Sequence, residues 1–136
     1  MIRKDFIEAE IQKLAQVLAK ILGLKNDGNV DEGIDTAFEA LSESFGLSRE
    51  DLEQTSVEDF QSHLASKAYS PEKLNLMAQL MFETVYPFQE VAETFLILHK
   101  TAAVINLLET EHRQQSFENL ARQEQINSFL NNRQYE

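Results

Sequence analysis

Between Val91 and Leu108, twelve of eighteen residues are apolar. On a helix they leave only a narrow polar strip, so a helix here must be covered on most sides by the rest of the chain. That demand fixes the architecture of a 136-residue protein: a central buried helix near 91–108 with amphipathic helices packed around it. Glu93, His99, Lys100 and Asn106 interrupt the run too often for a membrane span, which needs about twenty predominantly apolar residues. Only four Gly and two Pro occur in the whole chain, too few turn formers for a β-sandwich of many short strands. The sequence therefore predicts an all-α protein, one domain over residues 1–136, with six or seven helices in antiparallel hairpins.

The other helices follow from spacing and punctuation. Ile7, Ile11, Leu14, Leu18 and Ile21 fall along one helical stripe, flanked by Ala15 and Leu22, and predict a helix from about residue 3 to Leu22 that stops at Gly23. Asn29 followed by Glu32 is a cap spacing for a second helix whose buried face holds Val30, Ile34, Ala37, Phe38, Leu41 and Phe45, ending at Gly46. Ser48 with Asp51 and Ser56 with Asp59 cap short helices at 49–54 and about 57–66. Ser70, Pro71 and Glu72 suit a cap, a first helical position and a first turn, and Pro87 closes the fifth helix. Residues 113–136 contain nine Asn and Gln, yet Phe117, Leu120, Ala121, Ile126, Phe129 and Leu130 recur at helical spacing, so a last polar helix is expected to dock and to fray at its end.

Charge and cysteine content narrow the function. A formal charge of −11 disfavours nucleic acid and anionic lipid, which both recruit clustered cations. The absence of Cys removes thiolate metal sites and Cys nucleophiles and suits a cytoplasmic address. Residues 1–25 carry five bases and three acids, against seven and twenty in the remainder. Asp5, Glu8 and Glu10 break the uncharged core that a signal peptide needs. The first helix thus reads as a docking helix, with weak membrane-surface binding as a lesser alternative.

Three constellations could carry chemistry. Glu109 and His112 have the Glu-x-x-His spacing that di-iron bundles point inward, but His63 and His99 are preceded three residues earlier by Phe60 and Leu96, so no second copy exists. Asp59 and His63 are one turn apart, a spacing that could bind metal but that more often pairs a histidine with a carboxylate or makes no contact at all. His99 lies in the most apolar helix and is expected in the core. No Gly-rich phosphate loop, nucleophile elbow or metalloprotease signature appears. Tyr69, Phe82, Tyr86, Phe88 and Phe95 surround Pro87 and form either core or the wall of a ligand pocket.

The stretches "RKDFIEAEIQKLAQVLAKILGLK", "LSREDLEQTSVEDFQSHL" and "SPEKLNLMAQLM" resemble, in order and spacing over residues 2–82, an uncharacterised family of short bacterial all-helical proteins. That family looks like a relative of tetratricopeptide arrays, and "GNVDEGIDTAFEAL" is similar to the second helix of such a repeat through Gly33, Ala37, Ala40 and Leu41. A fainter copy is Phe95, His99 and Ala102. Gly33 stands where the repeat favours alanine, and Lys20 where it favours an apolar residue. The resemblance implies helical hairpins without an assigned activity.

Together these readings favour a non-catalytic scaffold that acts through a protein partner or by self-association as a homodimer, with no cofactor. Ile7, Ile11, Leu14, Leu18 and Ile21 are its candidate partner-binding residues. The competing reading is a metal- or small-molecule-binding bundle that uses Glu109, His112 and His99.

Overall fold

In the computed structural model, described over residues 2–113 and 116–134, with side chains over 6–113 and 116–131, the chain folds into seven helices: α1 (Ile2–Asn26), α2 (Val30–Phe45), α3 (Arg49–Gln54), α4 (Val57–Lys67), α5 (Pro71–Val85), α6 (Ala92–Thr110) and α7 (Phe117–Gln134). The described residues include no strand. Short loops fold α2 back on α1 and α6 back on α5, and the two pairs meet where α2 and α1 pack on α5. On its other sides α6 meets α3, α4 and α7.

The burial demanded by residues 91–108 is met, but α5 shares the centre. Leu74, Met77, Ala78, Leu80 and Met81 of α5 are almost fully buried, as are Ile97, Leu98, Val104, Ile105 and Leu108 of α6. The periodicity of α5 understated this, because its burial continues through Glu83 and Thr84, two residues whose polarity marks a surface in most helices.

Local chemistry explains most boundaries. Ser48 accepts from the Asp51 amide while the Asp51 carboxylate accepts from the Ser48 amide, a reciprocal box at 3.0 Å each way. Ser56 and Ser70 cap α4 and α5 by accepting from Asp59 and Lys73. Ser116 does the same for α7 through the Asn119 amide. At Gly46 the chain turns left-handed, φ 67°, and the Leu47 amide closes on the Leu41 carbonyl at 3.2 Å, the six-residue closure for which glycine is suited. Asn29 occupies the position before α2, but its side chain makes no capping hydrogen bond.

Gly23 does not stop α1. The helix runs to Asn26 and turns at Gly28, φ 91°. The additional turn is retained because Lys25 is anchored on α5. Its ammonium donates to the Glu83 carboxylate at 2.8 Å and to the carbonyls of Glu83 and Tyr86 at 2.6 Å each. These bonds join the C-terminal ends of α1 and α5, where helix carbonyls lack internal partners. Gly33 lies beside this anchor: a Cβ there would stand 2.9 Å from Lys25 Cγ and 3.3 Å from the Ile21 carbonyl oxygen. Glycine at this position lets α2 approach α1 over the lysine stem.

Candidate functional site

The stripe on α1 belongs mostly to the protein's own core. Leu14, Leu18 and Ile21 are 8% exposed or less and Ile11 is partly buried, whereas Ile7 is 45% exposed and Leu22 47%. The expected partner-binding set is therefore corrected: its inner residues are covered by α2 and α5, and only Ile7, next to the exposed Phe6, still faces outward. The same burial covers the inner part of the apolar stripe, while Phe6, Ile7 and Leu22 stay exposed. The basic flanks of α1 do face acids, through the Lys25–Glu83 pair and a groove lined by Lys13, Lys20, Glu39 and Glu43.

The Glu109–His112 pair is not on one helix face. Helix α6 ends at Thr110, so His112 lies in the following bend. No group of three His, Asp or Glu side chains able to hold a metal occurs among the described residues. His99 is exposed, correcting its placement in the core, and the neighbouring Lys100 is buried instead, at 1% exposure. One residue is a 100° step on a helix, enough to exchange the two. Among the described residues the Lys100 ammonium has a single 3.4 Å bond, to the Leu96 carbonyl, and burial pushes its pKa down. His63 makes no ion pair with Asp59 among the described residues, and its Nε2 is shut from solvent without a hydrogen-bond partner.

The aromatic residues around Pro87 divide. Tyr69 packs edge-on against Phe45 at 5.5 Å, beneath the Lys73 ammonium. Phe82, Tyr86 and Phe88 contact one another at 5.3–5.4 Å, and Phe88 meets Phe129 of α7 at 5.1 Å. Phe129 in turn stacks on Phe95 at 4.9 Å. This cluster and two polar links, Asn119 to Asn75 at 2.7 Å and Arg122 to Gln79 at 3.5 Å, hold α7 on α5 and α6. Ile126 is buried beneath it.

The opposite face of α7 is open. Phe117, nine residues and half a rotation from Ile126, is 89% exposed, with Leu120 at 38% beside it. Six apolar residues were expected to dock; Phe117, Leu120 and Ala121 point away from the domain instead. They line a groove of about 400 Å3. A second, about 480 Å3, shares Ala121 and Glu124 with it and runs to Tyr86, Phe88 and Phe129. Sequence reading missed this face because the spacing of apolar residues in α7 satisfies two opposite stripes at once.

A polar cleft of about 410 Å3 lies across the 86–91 connection, lined by Asp31, Ile34 and Asp35 of α2, Arg49 of α3, Thr84, Val85, Pro87, Gln89, Val91, Glu93 and Thr94. Arg49 holds Glu93 with two hydrogen bonds, 2.7 and 2.8 Å, and stands 4.5 Å from the Phe38 ring. Hydrogen bonding to Arg49 keeps the Glu93 carboxyl below its ordinary pKa against the effect of burial. Burial and the nearby Glu93 push Glu53 up.

Among the described residues, no helix is long and apolar enough to cross a membrane. No family model, curated protein or solved structure matches the chain.

Proposed function

We propose that the protein is a non-catalytic helical scaffold that acts by protein contact, and that the outer face of α7 pairs with a second copy of the chain. The exposed Phe117–Leu120–Ala121 stripe carries this reading, because an isolated exposed Phe is ordinary but an apolar stripe beside two grooves is a contact surface. Charge favours a second copy there. The two acids and two bases of α7 cancel, in a chain whose total of −11 makes copies repel through most other faces.

Helix α7 is about 27 Å long and presents a strip about 10 Å wide. That is a few hundred Å2, well under the roughly 800 Å2 per partner of a stable interface, so the dimer is weak and concentration-dependent. The α1–α2 and α5–α6 hairpins, joined through α2 and α5, support kinship with the tetratricopeptide-like bacterial family, and a cytoplasmic protein without cysteines fits the same reading. Sedimentation velocity across the micromolar to millimolar range tests it. The wild type should shift toward dimer mass, and Phe117→Ser with Leu120→Asn should stay monomeric and folded. A wild type that remains monomeric throughout refutes the proposal.

A further inference from the structure

Helix α7 carries a knob and a hole on one side. The knob is the Phe117 ring, 89% exposed. The hole is the groove of about 480 Å3, walled by Tyr86, Phe88 and Phe129 on one flank and by Gln125 and Ser128 on the other. Its aromatic wall is already an array of close rings, Phe88 meeting Tyr86 edge-on at 5.4 Å and Phe129 at a tilt at 5.1 Å, and Tyr86 at the rim keeps 41% of its surface exposed. Such a wall accepts one more ring at the edge-on or offset distances that aromatic pairs prefer. Phe117 cannot fill the groove of its own copy. Gln125 and Ser128 lie eight and eleven residues further along the same helix, about 12 and 16 Å at the helical rise, farther than a phenylalanine side chain extends.

A second copy brings the two together. Phe117, Ala121, Glu124 and Ser128 are all exposed and fall within about 40° of one line along α7. A two-fold axis across that line, midway between Phe117 and the groove, passes close to Ala121. It lays two α7 helices antiparallel and, because a two-fold contact uses the same patch on both copies, seats both Phe117 rings at once. We infer that each copy's Phe117 inserts into the Tyr86–Phe88–Phe129 groove of the other, a register that rests on the pairing through α7 proposed above. Ala121 at the axis has too little bulk to hold the helices apart, and Leu120 beside it meets its own counterpart. The contact also takes in Tyr86 and Phe88 of the 86–91 connection, adding area that the α7 strip alone lacks. Glu124, the one charge on the line, loses water to the partner, which keeps the association weak.

Single cysteines test the register in the full chain, which has no Cys of its own. Ala121→Cys, at the axis, should link into a dimer on air oxidation, because it stands within the roughly 4.4–6.8 Å between Cα atoms that a disulfide spans. Ser128→Cys, displaced from its counterpart by about 20 Å along the helices, should not. A parallel pairing brings every outward residue to its own counterpart and links both variants. Ser128→Trp plugs the groove from its own copy while enlarging the apolar surface, and should weaken self-association at least about tenfold in sedimentation; general stickiness of the patch predicts the opposite. Both positions are exposed, so these variants should keep the wild-type circular dichroism and urea midpoint. A wild type that stays monomeric removes the α7 pairing and this register with it. A dimer in which Ser128→Cys links as readily as Ala121→Cys, or in which Ser128→Trp associates as tightly as the wild type, keeps that pairing and overturns the register.

Discussion

Replacing Lys25 by Met keeps the aliphatic stem and deletes the ammonium that joins α1 to α5. The pair it breaks is largely enclosed, with side-chain exposures of 10% for Lys25 and 8% for Glu83. Removing one partner of a buried pair costs about 3–5 kcal/mol, mostly because the other charge is left without compensation. The carbonyls of Glu83 and Tyr86 also lose their donor, but at the exposed Tyr86 water can replace it, so the carboxylate dominates. Glu83→Gln retains an oxygen acceptor and both carbonyls for Lys25, and should cost only about 1–2 kcal/mol, the scale of one hydrogen bond to a charged group. The double variant should then be more stable than Lys25→Met alone, since it removes the stranded charge. Urea unfolding of all four proteins, at constant m, measures this coupling directly. A Lys25→Met loss below about 1 kcal/mol, or a double variant less stable than Lys25→Met, refutes the account of a buried, mutually dependent pair.

Two glycines should respond to alanine with opposite signs. Gly23→Ala meets no atom within 4 Å and should stabilise by about 1 kcal/mol through helix propensity, whereas Gly33→Ala strikes the anchored Lys25 stem and should lose about 1–2 kcal/mol after that same gain; thermal melts distinguish them. Lys100→Met should stabilise by on the order of 1 kcal/mol at neutral pH, because it removes a buried cation that has no carboxylate partner among the described residues. Since burial lowers the folded pKa of Lys100, the unfolded chain binds more protons between that value and about 10.4. Stability should therefore rise with pH through that window in the wild type but not in the variant, as urea midpoints at neutral and alkaline pH will show. Glu93 has a lowered folded pKa, so its contribution is present above the unfolded carboxyl value and lost as pH falls through the folded one. Glu93→Gln should remove that acid loss, at most about 1 kcal/mol for so exposed a pair, with acid titration of the circular dichroism signal as the readout.

Helices were legible wherever a side chain acts on its own turn. Ser48, Ser56 and Ser70 are local devices, and each caps as its spacing implies. Gly23 was misread because the force that carries α1 past it comes from Glu83 and Tyr86, about sixty residues away. His99 and Lys100 were exchanged because both have apolar residues three and four positions away on either side, and only the packed partners choose which polar residue is turned inward. In α7 the ambiguity is intrinsic: Phe117 and Ile126 occupy opposite faces, each with apolar neighbours at helical spacing, and only contact with α5 and α6 decides which stripe is covered. The cleft was invisible for the same reason, since Asp35, Arg49 and Thr94 come from three helices with no shared motif.

The segment from Tyr86 to Val91 lies between the groove along α7 and the polar cleft. Tyr86 and Phe88 border the groove along α7, while Pro87, Gln89 and Val91 line the polar cleft. Lys25 holds the Tyr86 carbonyl at 2.6 Å, and its ammonium stands 5.9 Å from the Tyr86 ring centre, so the end of α1 sets the position of this connection for both surfaces. Phe117→Ser alters self-association directly. Lys25→Met, studied where urea unfolding shows the chain still folded, should weaken self-association as well, because it releases Tyr86, which borders the groove along α7. Unchanged self-association would mean that Lys25 stabilises the fold without organising this groove.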